Sequence, residues 1–183
     1  MLPLLIQGVD GWDEDKNEFI KIPSQKLQLE HSLYSISKWE QKWKIPFMDD
    51  APKSIEQSID YIRMMTLNSD EVNDLIYNCI SAENWNQINA YLKDSMTAMT
   101  IKEQKNRRAR RTSEKTTAET VYYWMIECGI PFECQYWNFN RLIALIEMCS
   151  IKSQPQKKMS KREILAQNDK INAMRRQAAH SKG

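Results

Sequence analysis

The stretch Thr116-Thr-Ala-Glu-Thr-Val-Tyr-Tyr-Trp-Met-Ile-Glu-Cys-Gly-Ile-Pro131, continued by Phe132-Glu-Cys-Gln-Tyr-Trp-Asn-Phe-Asn-Arg-Leu-Ile-Ala-Leu-Ile-Glu-Met148, decides the fold class. Thr116 to Glu119 has the spacing of a capping box, in which the hydroxyl and the carboxylate three residues on bond each other's backbone N–H groups. Val121, Trp124, Met125 and Cys128 then recur at helical spacing. Gly129 suits the end of that helix, and Pro131 suits the first turn of a second. The second helix carries Tyr136, Phe139, Ile143 and Ile146, and from Leu142 to Met148 it is apolar nearly all round. A helix without a polar face belongs in an interior. Residues 118–150 therefore read as a helical hairpin that completes a core.

Beyond the hairpin, Pro155 ends the apolar pattern. Ser160-Lys-Arg-Glu163 fits another capping box. The helix it opens has a thin stripe of Ile164, Ile171, Met174 and Ala178, next to Arg175 and Arg176. So narrow a stripe buries little area, and a helix of this kind needs a partner to hold it.

Upstream lies Lys102-Glu-Gln-Lys-Asn-Arg-Arg-Ala-Arg-Arg-Thr-Ser-Glu-Lys-Thr-Thr117, without a large apolar residue. It reads as an exposed basic linker between residues 1–101 and the hairpin. Before it, four helices are expected. Ser37 to Glu40 caps one that carries Ile36, Trp39 and Trp43 and stops at Pro46. Ser54 to Gln57 caps a second with the stripe Ile55, Ile59, Ile62 and Met65. Asn68 or Ser69 caps a third with Val72, Leu75, Ile76 and Cys79 inward. Ser81 opens a fourth through Trp85, Ile88 and Leu92. Residues 95–101 alternate as a strand does.

The N-terminus reads as β structure. Residues 2–7 form a short apolar strand, and Phe19–Ile22 and Lys26–His31 supply others, with Asp10-Gly11 as a turn dipeptide. The fold expected is mainly α (α+β): a helical domain with a small N-terminal hairpin or sheet and a basic C-terminal arm over 151–183.

Composition narrows the function. The 183 residues contain four glycines, at Gly8, Gly11, Gly129 and Gly183, so neither a P-loop nor a G-x-G-x-x-G fingerprint is present. The two histidines, His31 and His180, exclude most His-based catalytic and metal constellations. Asp10, Asp13 and Asp15 lack the glycine and glutamate of an EF-hand, whose sixth and twelfth positions here are Asp15 and Lys21. Cys79, Cys128, Cys134 and Cys149 show no C-x-x-C spacing and read as reduced structural thiols. No enzyme, cofactor or metal is expected. The first residues have no basic region of a secretory signal, and no run approaches the roughly 18 apolar residues of a membrane span. A soluble, intracellular protein is expected.

Charge is unevenly placed. Residues 1–101 hold 9 Lys/Arg and 16 Asp/Glu, a balance of −7, whereas residues 152–183 hold 9 and 2, a balance of +7. An acidic body with a basic arm suggests assembly with a partner or with itself. Arg107, Arg108, Arg110 and Arg111 resemble an arginine-rich arm for nucleic acid, an alternative that a solvated linker explains as well. Core packing is the default role of the tryptophans, with Trp39, Trp43 and Phe47 as an alternative exposed contact patch.

Three segments together resemble a phage family. They are His31-Ser-Leu-Tyr-Ser-Ile-Ser-Lys-Trp-Glu-Gln-Lys-Trp43 with Pro46-Phe47, Tyr122 to Trp137 with Asn140-Arg-Leu142, and Lys157-Lys-Met-Ser-Lys-Arg-Glu-Ile-Leu165 with its basic helix. The chain looks like a tail assembly chaperone of long-tailed bacteriophages. It departs from that pattern in the Arg-rich 102–117 segment and at Asn138, where the family carries histidine. The resemblance implies a non-enzymatic protein of the host cytoplasm. It would coat the tape measure protein while tail tube protein polymerises around it, and it would associate with itself. A structural virion component, such as a connector or tail-completion subunit, is the alternative, and a nucleic-acid-binding accessory factor the third.

Overall fold

The computed structural model describes residues 1–13, 17–98, 115–153 and 161–178. The chain divides into two compact units, Met1–Ser150 and Ile151–Gly183. The first unit is mainly helical with a small antiparallel β element at its N-terminus.

Strand β1 (Leu2–Ile6) pairs with β4 (Gln25–Leu29), Leu4 facing Leu27, and between them β2 (Asp10–Asp13) pairs with β3 (Glu18–Lys21). Alternation along β1 and β4 puts Leu4, Ile6, Leu27 and Leu29 wholly inside. Asp10-Gly11 is not the turn that its chemistry suggested. Both residues pair within β2, and the chain reverses further on, where Asn17 takes a left-handed φ of 54°. Gly8 sits where the two ladders meet. A Cβ there would lie 2.0 Å from the Ile22 carbonyl oxygen, so the crossing requires glycine.

Helix α1 (Leu33–Trp43) begins five residues earlier than a cap at Ser37 implies. Ser32 caps it, its Oγ accepting from the Ser35 N–H at 3.2 Å, and Ser37 falls inside. Lys44, left-handed at φ 57°, closes the helix before Pro46 is reached. Helix α2 (Ile55–Met65) has the expected Ser54–Gln57 capping box. Its inward residues are Asp60, Tyr61, Ile62 and Met65, while Ile55, expected in the stripe, is exposed. Its end runs on beside β4: Glu30 N–H donates to the Met65 carbonyl at 2.9 Å, and Leu67 N–H to that of Gln28 at 2.8 Å.

The third expected helix is not α-helical. Ser69–Glu71 and Asp74–Cys79 are two 3₁₀ turns, with Ile76 buried and Leu75 exposed. The Asn73 side chain accepts from the Leu75 N–H at 2.9 Å and starts a new turn where a continuous helix would pass. Helix α3 (Ala82–Lys93) follows from Ser81 as expected and packs on β1, where the Asn84 amide donates to the Leu5 carbonyl at 3.1 Å. Residues 95–98 form no strand, and the rest of the expected strand, 99–101, lies outside the described residues.

Helix α4 (Ala118–Glu127) starts at Thr117, one residue past the predicted cap, and pairs it with Thr120 in place of Thr116 with Glu119. Its end is a Schellman arrangement. Gly129, at φ 65°, donates to the Ile126 carbonyl at 3.1 Å, and Ile130 donates to that of Met125 at 2.8 Å. The predicted second helix is split. Phe132–Tyr136 is a 3₁₀ helix that takes Tyr136, and α5 (Phe139–Ser153) follows. Only Phe139, Leu142 and Ile146 of α5 are fully inside, so the all-round apolar stretch is not enclosed. The core unites the inner face of the β1–β4 ladder with α1, α2, α3 and α4 through Leu33, Ile36, Trp39, Ile62, Ile88, Val121 and Met125.

The second unit contains α6 (Lys161–Ala178). Each of its residues whose exposure is described is exposed, Leu165, Ile171, Met174, Arg175 and Arg176 among them. Among the described residues no helix is long and apolar enough to cross a membrane.

Candidate functional site

The predicted contact patch of Trp39, Trp43 and Phe47 faces inward. Trp39 is fully buried, and its indole N–H donates to the Gln57 carbonyl at 2.8 Å. Phe47 meets the Trp39 ring edge-on at 5.2 Å and lies 4.2 Å from Tyr61. Trp43 packs beside Trp39 at 6.4 Å. The loop after α1 therefore folds back, and the three rings join α1 to α2. Burying such rings stabilises more than any surface role they were offered for.

Glu40 explains why that loop turns inward. Its carboxylate is buried and accepts two backbone bonds, from the Phe47 N–H and from the Ala118 N–H, both at 2.7 Å. Ala118 opens α4, so the charge also faces the positive end of a helix. Beside it, Lys115 pairs with Asp49 at 2.6 Å, which anchors the last residues of the expected exposed linker. Arg107, Arg108, Arg110 and Arg111 lie outside the described residues, as do the Pro155 and Ser160 boundaries.

The exposed aromatics lie elsewhere. Tyr123 and Ile126 project from α4, Phe132 and Tyr136 from the 3₁₀ helix, Tyr34 from α1, and Trp137 follows Tyr136. Two ring contacts lie among them and their neighbours. Phe132 lies 6.2 Å from Tyr122 of α4, and Tyr136 lies 5.1 Å from Tyr34. Lys38 stands 4.4 Å over Tyr34, and Arg141 4.8 Å over Trp137. Three glutamates, Glu119, Glu127 and Glu133, are exposed around this surface, while residues 116–140 contain no Lys or Arg. The sequence places Tyr136 on the stripe of the second hairpin helix and gives Trp137 core packing as its default, and it assigns Tyr34, Tyr123 and Phe132 to no face. The signal was present in α4, whose positions 119, 123, 126 and 127 form a second face opposite Val121 and Met125.

Two clefts flank α5. One, of about 500 Å³, is lined by Leu92, Phe139, Asn140, Ile143, Ala144 and Glu147 among others; the second, of about 320 Å³, lies between α4 and α5, with Trp124, Cys128, Ile146 and Ser150. Ile143 and Glu147 belong to both. Cys128 lines the second and has Cys149 as a neighbour; burial is the first of the causes that raise its pKa. All four cysteines are unpaired.

His31 is the one histidine among the described residues, and it is a core residue. Its Nδ1 lies 2.5 Å from the Tyr61 hydroxyl, and its ring meets Phe139 edge-on at 5.4 Å. Burial pulls its pKa down to about 4 against a smaller opposing pull from Glu30, so the imidazole is neutral at pH 7. Burial likewise pushes Tyr61 upward, and the pair stays uncharged. Tyr91 donates to Glu30 at 2.7 Å, next to Asn138 at 3.5 Å. The backbone closes this network: Phe139 N–H donates to the His31 carbonyl at 2.7 Å. The arrangement ties the α1 entry to the α5 entry. Among the described residues no group of three or more His, Cys, Asp or Glu is placed to hold a metal.

Comparison with protein-family models, characterised proteins and solved structures found no match to this chain.

Proposed function

We propose that the protein is a tail assembly chaperone of a long-tailed bacteriophage, acting in the host cytoplasm on the tape measure protein before tail tube protein surrounds it. The observation that supports this reading is the pair of clefts along α5, which share Ile143 and Glu147 and are lined largely by apolar side chains. A tape measure protein is a long helix whose apolar residues recur every three or four positions. Successive large side chains of such a helix fit two adjoining clefts, the helix-in-groove mode of recognition. The half-buried exposure of Ile143 and Ala144 leaves the groove open without a broad exposed patch.

Co-expression tests the reading. The tape measure protein encoded beside this chain should be soluble with it and aggregate without it. Ile143→Asp should abolish that protection while leaving the circular dichroism spectrum unchanged. Purified virions should lack the protein; its presence at fixed copy number there would favour the connector or tail-completion role instead. Retention of oligonucleotides with a steep salt dependence would favour the accessory factor that uses Arg107 to Arg111.

A further inference from the structure

Two exposed surfaces of this chain match each other in chemistry. The first is the outward face of α4. Glu119, Tyr123, Ile126 and Glu127 fall on one side of that helix, and Tyr122, next to Tyr123 in the chain, meets Phe132 of the 3₁₀ helix. It is aromatic at the centre, with Glu119, Glu127 and Glu133 exposed around α4 and the 3₁₀ helix and with Lys38 and Arg141 over the rings at its Tyr34 and Trp137 end. The second is α6. Ile171, Met174 and Arg175, spaced three and one apart, share a side of that helix, and Lys161–Ala178 carries five cations against two carboxylates. Its apolar side is short and its surroundings basic, the complement of the α4 face in both respects.

Each surface is exposed within its own unit among the described residues. Tyr123 is 60% and Ile126 62% exposed, while Ile171 is 39% and Met174 68% exposed. We infer that α6 of one copy docks on the α4 face of a second copy. The two surfaces differ, so the contact is heterologous. A pair keeps a free face on one copy and a free helix on the other, and the association grows as an open chain unless it curves into a ring. The inference does not depend on the identity of the client. If the chaperone reading holds, copies bound side by side on one client gain affinity from the contact through their raised local concentration.

The test uses the full-length protein in sedimentation velocity at low ionic strength. Mass should rise with concentration above the 21.6 kDa of one chain and fall back as salt is added, because screening weakens the charged rim. A face variant, Tyr123→Ser with Ile126→Asp, and a helix variant, Ile171→Asp with Met174→Asp, should each remain monomeric. Mixed together they should form a 1:1 pair and nothing larger, because each variant retains the surface the other lacks. The charge variant Glu119→Lys with Glu127→Lys leaves every apolar residue in place and should weaken association about tenfold. Combining it with Arg175→Glu and Arg176→Glu should restore it. A wild-type protein that is monomeric at all concentrations overturns the inference. So does a mixture of the two variants that fails to pair while each keeps the wild-type melting temperature, or a variant that assembles as the wild type does.

Discussion

Helices α4 and α6 both present apolar side chains to solvent, and they are held by different means. α4 has a second side: Ala118, Val121 and Met125 are inside the core, and Glu40 and Gly129 terminate its two ends. Its outer residues are displayed on a helix whose order is already secured. For α6 no described residue is buried, and its 18 residues must be ordered by their own helical propensity or by a partner. Ordering backbone opposes helix formation by about 1–2 kcal/mol per residue before hydrogen bonds offset it, so helices of this length are marginal in water. Exposed apolar surface therefore has two settings in one molecule: in α4 a helix anchored by its buried side, and in α6 a helix with no buried side among its described residues.

The largest effect expected is on the platform. Met125→Ala empties a fully buried position and should lower the unfolding free energy by about 2–5 kcal/mol in urea titration. A loss below 1 kcal/mol would mean that α4 is no better anchored than α6. Acid should discriminate the two helices next. His31 is neutral in the folded state because its pKa lies near 4, whereas the unfolded chain protonates near 6.5. The folded pKa is the lower, so the unfolded state binds more protons between these values. Stability is fully present above about pH 6.5 and is lost as pH falls toward 4, by about 3 kcal/mol in all. His31→Gln should flatten that dependence, read as the urea midpoint against pH. α6 contains no histidine, and its helicity should not follow the same curve.

Glu40→Gln keeps one acceptor oxygen and sets an amide N–H₂ against the other backbone donor. It should cost about 1–3 kcal/mol, with α4 amides near Ala118 exchanging hydrogen faster. The smallest effect belongs to α6. Met174→Ala should change the unfolding free energy of the first unit by less than about 0.5 kcal/mol, the usual range for surface substitutions, read by urea titration. A larger loss would show that α6 contributes to the fold and not to binding alone.

What the sequence made legible follows the same division. The caps of α2 and α3 were readable because Ser54 and Ser81 act on their own backbone, three residues away. The start of α1 was not. Ser32 and Ser37 both precede helical spacing, and only the pairing of Ser32 with Asn138, far along the chain, selects the first. The 3₁₀ turns at 69–79 escaped because apolar spacing does not register the Asn73 side-chain bond that interrupts them. Core packing is the default for Trp39 and Trp43, and the alternative of an exposed patch with Phe47 stays open because the sequence shows no cause for the loop to fold back. That cause is the Glu40 carboxylate, which reaches Ala118 across 78 positions. The aromatic surface was hidden by the opposite error: α4 and the segment after it are rich in apolar residues on more sides than the core uses.

The two-stranded ladder at the N-terminus offers a last consequence. A ladder of β1 and β4 alone has two open edges, the template on which sheets of neighbouring molecules grow into aggregates. Here Met65 and Leu67 bond along β4, and Asn84 caps the Leu5 carbonyl of β1. These few bonds occupy backbone groups that a neighbouring strand would otherwise pair with, and they make the ladder a poorer template for edge-to-edge growth.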